Sequence, residues 1–223
     1  MKHERHVLVS LAHPDDETFG CGGTIALYTK AGVPVTYICA TRGEMGRNMG
    51  RPVAATRESL PAIREVELLD AMRILGVQDT RLLGIWDKLV EFQDPEHLAG
   101  RIKAIIEELN PSLVITFHPE FGGHPDHCAI GRATIRAVEL LPADRRPVIH
   151  VKAPRAPKSL GTPEYHDISS VVEVKDQAVK AHASQSGPMS VYWEKRYQEA
   201  SPEEKAEIDR GRKREGFWVY PVE

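Results

Sequence analysis

The feature that most constrains this chain is an alternation of short apolar runs with longer amphipathic stretches through its first two thirds. Val7–Leu11, Val35–Ala40 and Leu113–Phe117 read as buried strands, with Arg81–Ile85 a shorter one. Between them, Gly22–Gly32, Ala54–Leu75, Pro95–Leu109 and Asp126–Leu141 read as helices. In the longest of these, Ile63, Val66, Leu68, Leu69 and Met72 fall at helical spacing, and Gly76 supplies the stop. Strands and helices alternating at this pace predict an α/β, Rossmann-like fold: a mostly parallel sheet with right-handed crossovers and helices on both faces. The last third is less regular. It offers a strand at Val148–Val151, a Pro-rich loop over Ala153–Pro163, a helix over Val171–Ala183, another from Val191, and a closing edge strand at Phe217–Tyr220. No repeat and no linker divides the chain, so a single domain over 1–223 is expected.

With 223 residues, 41% hydrophobic and 27% charged, the chain can bury a full core. A net charge of −3 carries no signal for nucleic acid. No apolar run approaches the roughly 18 residues that span a bilayer. Lys2 and Arg5 precede Val7–Ala12, but that stretch is too short for a signal-peptide core, so a cytoplasmic protein without membrane partners is expected. Three cysteines, Cys21, Cys39 and Cys128, contain no CxxC pair and predict no disulfide framework.

In an open α/β sheet, ligands bind at the carboxyl ends of the strands. His13-Pro14-Asp15-Asp16-Glu17 follows the first strand, and His124-Pro125-Asp126-His127 follows the strand ending at Phe117. Imidazole and carboxylate together suit zinc, with ferrous iron an alternative. His13 and Asp16, three residues apart, share one side of a tight turn, and His127 is the third candidate ligand. Three protein ligands leave one position for water, as catalytic sites do. Asp15 would take the proton of that water, and His124, as imidazolium, would stabilise an oxyanion or protonate a leaving amine. Asp126 is expected to orient His124 and raise its proton affinity.

These motifs resemble the paired signatures of the LmbE-like (PIG-L) N-acetylglucosamine deacetylases. The resemblance extends to Gly20-Cys21-Gly22-Gly23-Thr24, Thr41-Arg42-Gly43-Glu44, Arg57-Glu58, Leu83-Gly84 with Asp87, and His182-Ala183-Ser184-Gln185. Gly43-Glu44-Met45-Gly46-Arg47-Asn48-Met49-Gly50 is most similar to the second type of bacillithiol-biosynthesis deacetylase. The resemblance implies a metal-dependent N-deacetylase with ligands His13, Asp16 and His127, base Asp15, and His124 as acid or oxyanion stabiliser. It further implies an N-acetylglucosaminyl malate substrate and a homo-oligomer.

Arg42, Arg47, Arg51 and Arg57 crowd a glycine-rich stretch suited to a lid and to carboxylate recognition. Arg57, Arg47, Glu44 and Asp87 are the candidate substrate-binding residues, Asp87 through sugar hydroxyls. His182 is either a wall of the site or helix packing, and His118 ends a strand beside the proposed site. A dinucleotide-binding reading fails because Ile25 stands where GxGxxG needs its last glycine. An iron oxygenase or a non-catalytic metal module would leave Asp15 and His124 without a task. A bacillithiol S-conjugate amidase using the same metal site stays open.

Overall fold

The computed structural model describes residues 4–222; Met1–His3 and Glu223, the ends of the expected domain, lie outside the described residues. Seven strands form one sheet: β1 (Val7–Leu11), β2 (Val35–Cys39), β3 (Asp79–Leu82), β4 (Leu113–Phe117), β5 (Val148–Lys152), β6 (Glu164–Asp167) and β7 (Arg214–Tyr220). Their order is β3-β2-β1-β4-β5-β7-β6. The first five are parallel, and β7 runs antiparallel to both β5 and β6. Every residue of β1, β2 and β4 is buried, which is why these strands read as uninterrupted apolar runs.

Among the described residues seven α-helices surround the sheet: α1 (Asp16–Lys30), α2 (Leu60–Leu75), α3 (Pro95–Leu109), α4 (Pro125–Glu139), α5 (Val172–Ala181), α6 (Ala183–Glu199) and α7 (Pro202–Arg212). α3 packs on α4 over one face of the sheet, while α1, α2 and α5 pack together on the other. No helix among the described residues is long and apolar enough to cross a membrane.

The departures from expectation have local causes. α2 begins at Leu60 rather than Ala54, because Pro61 is tolerated only in the first turn. Gly76 ends it as expected, at φ 80°, with its amide donating to the Arg73 carbonyl. The core face of α2 is not the expected one. Val66 and Leu69 are exposed, whereas Arg64 and Glu67 point inward beside Leu68 and Met72. α1 starts six residues earlier than expected and kinks at Cys21, where φ is −148°. The amides of Gly23 and Thr24 that the kink frees donate to the Glu215 carboxylate at 2.9 and 2.8 Å. β7 is not an edge, since the polar strand β6, unforeseen in the sequence, pairs outside it. β3 is half-buried along its length and starts two residues earlier than Arg81, which left little apolar signal to locate it.

Candidate metal and catalytic site

The first crossover leaves β1 toward β2 and the return after α3 enters at β4, so the chain diverges between β1 and β4. In this fold, that divergence opens a crevice at the carboxyl ends of the two strands. The His13–Glu17 turn follows β1, and the 118–127 segment follows β4. They meet there, although more than a hundred residues separate them.

His13 Nδ1 lies 3.2 Å from His127 Nε2, and Asp16 reaches both rings, at 3.5 Å from His13 Nδ1 and 3.2 Å from His127 Nε2. His127 is the third residue of α4; its ring stacks on Phe117 at 3.9 Å, and its Nδ1 meets the Gly122 carbonyl at 2.9 Å. That carbonyl accepts only, so the His127 proton sits on Nδ1 and Nε2 presents a lone pair. His13 Nε2 lies 3.2 Å from both Asp87 Oδ1 and Asp126 Oδ2. Its proton therefore sits on Nε2, and Nδ1 presents a lone pair as well. Two imidazole lone pairs facing each other at 3.2 Å beside a buried carboxylate repel unless a cation or protons lie among them.

The electrostatics report the same demand. Burial alone would lower the His13 pKa, yet bonds to Asp126, Asp16 and Asp87 carry it well above its ordinary value. His127 is likewise raised, burial being outweighed by Asp16. Asp16 is held well below the usual carboxylate range, its burial overcome by the two histidines. Asp15 behaves oppositely: burial pushes its carboxyl up to about 7 against the pull of Arg64. Asp15 also has φ 102°, an unfavourable backbone for any side chain but glycine.

His124 caps α4, its Nδ1 accepting from the Asp126 amide at 3.1 Å, which leaves Nε2–H to face the site. Its ring lies 5.0 Å from that of His13 and 5.2 Å from that of His127, and a nitrogen from each of the three falls within 4.8 Å of the others. Burial, then His13 and His127, lower its pKa. Asp126 does raise the His124 proton affinity, as expected, but burial and the two neighbouring imidazoles outweigh it, and it is the Asp126 backbone amide that meets the His124 ring. The Asp126 carboxylate itself serves His13 and the amides of Lys88, Val90 and Glu91.

The family model of the PIG-L GlcNAc-PI de-N-acetylases matches residues 8–138, from β1 through α4. The chain belongs to the PIG-L family. A Bacillus cereus protein described as "Probable N-acetyl-alpha-D-glucosaminyl L-malate deacetylase 2" is 52% identical over 189 residues, 83% of this chain and 86% of its own length. A Bacillus anthracis protein of the same description is 44% identical over 99% of this chain and 97% of its own. Among solved structures, the N,N'-diacetylchitobiose deacetylase of Pyrococcus horikoshii is 28% identical with a TM-score of 0.74, covering 99% of this chain and 85% of that one. A 4-carboxy-2-hydroxymuconate hydratase from a Pseudomonas shares the fold at 21% identity and a TM-score of 0.75, so the scaffold alone does not dictate the reaction. The family and these deacetylase relatives make the chain an enzyme acting on N-acetyl amide bonds.

Other residues of this PIG-L chain are placed less directly. Glu44 and Asp87, expected on the substrate, are each 6% exposed and hold each other's loops: the Glu44 carboxylate accepts from the Asp87 amide, and Asp87 from the Met45 amide. Arg57 donates to the carbonyls of Glu44 and Gly46, so its guanidinium braces the loop backbone. Arg42 pairs with Glu65, while Arg47 and Arg51 are exposed on the loop. His118 accepts the amides of Glu120 and Phe121 and shapes its own turn. Gly22 and Gly23 lie against Lys175 and Ile168, so that glycine run serves helix packing rather than phosphate binding.

Arg64 was missed. It is 3% exposed and donates to the carbonyls of Pro14 and Gly43 and to Asp15 Oδ2. A charged residue one turn before Leu68, on what proves to be the inward face, was the only available signal.

Proposed function

We propose that the chain is a metal-dependent N-deacetylase that hydrolyses the acetamide of N-acetylglucosaminyl malate, with zinc held by His13 Nδ1, Asp16 and His127 Nε2. The observation that carries this reading is the pair of facing imidazole lone pairs beside Asp16, a donor set that fits a divalent cation of the zinc class. Bound there, zinc supplies a Lewis acid and lowers the pKa of the attacking water.

The chain's own residues do the rest. Asp15, whose carboxyl lies near 7 and is held by Arg64, accepts the proton of the water as its oxygen bonds to the acetyl carbon. His124 Nε2–H donates a hydrogen bond to the carbonyl oxygen as that atom gains charge. When the C–N bond breaks, Asp15 returns its proton to the nitrogen, releasing a free amine and acetate. Asp87 and Asp126 keep the His13 proton on Nε2, so that Nδ1 stays available to the cation. Arg47 and Arg51, exposed on the loop beyond Glu44, offer guanidinium groups to the two malate carboxylates.

The test is free-amine release from N-acetylglucosaminyl malate, before and after chelation and after zinc is restored. Release that chelation abolishes and zinc restores supports the reading. Cleavage of a bacillithiol S-conjugate in place of the acetyl sugar moves the substrate, and cleavage of neither defeats the proposal.

A further inference from the structure

The motif His182-Ala183-Ser184-Gln185 forms the corner between α5 and α6, and neither the candidate ligands nor the loop arginines explain it. His182, Ser184 and Gln185 are 0%, 3% and 8% exposed, and each holds a different part of the site. His182 Nε2 lies 2.6 Å from Glu17 Oε1, with both side chains fully buried. The second Glu17 oxygen accepts from the Tyr37 hydroxyl and from the Asp15 amide, each at 3.1 Å, which pins the strained backbone of Asp15. Gln185 Nε2 donates to the Asn48 carbonyl at 3.0 Å, Asn48 Nδ2 donates back to the Gln185 carbonyl at 3.4 Å, and the Gly50 amide donates to the Ser184 carbonyl at 3.0 Å. Ser184 anchors the corner to α2, its amide and hydroxyl each donating to Glu67 at 2.7 Å.

A corner needed only for packing would be cheaper in apolar residues, because buried carboxylate and imidazole groups must recover their desolvation through geometry. Here that geometry points two ways, toward the candidate base and toward the arginine loop. We infer that His182–Gln185 is a positioning strap. His182 acts through Glu17 on Asp15, and Gln185 acts through Asn48 on the loop that carries Arg47 and Arg51. The strap rests on the proposed function for naming Asp15 as base and the loop as the carboxylate contact.

The two ends then have separable signatures. His182→Phe should lower kcat about 100-fold with KM nearly unchanged and the zinc content intact, and His182→Gln, which keeps a donor, should recover much of the loss. Gln185→Ala should raise KM about tenfold with kcat nearly unchanged. It should also speed hydrogen exchange at the Gly50 amide about tenfold, a readout independent of turnover. Equal losses in the Phe and Gln variants of His182, or losses that track zinc content, overturn the strap. So does a Gln185→Ala variant with unchanged KM and unchanged Gly50 exchange. If His182→Phe does not fold, Tyr37→Phe decides: kcat should fall about tenfold, and a wild-type kcat overturns the proposal. A wild-type chain that cleaves no N-acetyl sugar defeats the proposed function instead, and the Gly50 exchange still judges the strap.

Discussion

Three adjacent side chains of one turn are set to different tasks by what surrounds them. Asp16 faces two imidazoles and is held ionised. Asp15 is half-buried against Arg64 and brought near 7, and Glu17 turns inward to His182 and Tyr37. Asp15→Asn removes the proposed proton acceptor while leaving the donor cluster alone, so kcat should fall by about 10²–10⁴-fold in amine-release assays with the zinc content unchanged. His182 yields a prediction on stability. Burial alone would lower its pKa, but Glu17 raises it, so the folded state binds its proton more tightly than the unfolded chain. That contribution is full below the ordinary value of about 6.5 and is lost as the pH climbs through the raised one. The stability gap between wild type and His182→Gln, measured by urea unfolding, should therefore narrow as the pH rises from about 6 to about 9.

At the scale of elements, the site depends on how closely α4 approaches the end of β4. Gly131 permits it: a Cβ there would stand 2.3 Å from the Phe117 carbonyl oxygen, a backbone atom that cannot swing aside. Gly131→Ala should cost about 1–3 kcal/mol of stability and, by displacing His127 on the same helix, should also depress activity. Ser201→Ala is the contrast. It removes the capping box of α7, so it should cost about 1 kcal/mol and leave activity untouched. The buried strands and α3, capped by Asp94, were legible because a single strong pattern governs each of them. α1 was legible only in part, because Gly22 and Gly23 serve contacts with Lys175 of α5 and with Ile168 ahead of it that no local pattern records. β6 was hidden because an exposed polar edge strand carries no apolar alternation.

At the scale of the molecule, the placing of the His13 and His127 turns at the same edge of the sheet was legible, since each follows a strand of a parallel sheet; that β1 and β4 are neighbours, which brings the turns together, was not, because no local pattern records strand order. What surrounds them was not. Arg64, the clamp of Asp87 and Asp126 on His13, and the bond from His182 to Glu17 all join residues distant in the chain, and single residues on inward faces give no signal of their partners. Without a cation the site gathers buried carboxylates and facing imidazoles, so zinc should stabilise the whole chain, by about 2.7 kcal/mol at a hundredfold excess over its dissociation constant. The central claim is that the His13, Asp16 and His127 cluster holds that ion. The direct measurement is zinc uptake per chain by equilibrium dialysis of the metal-stripped wild type and of His127→Phe. One zinc per wild-type chain and none in the variant is the predicted result. No uptake by the wild type, or equal uptake by both, would contradict it.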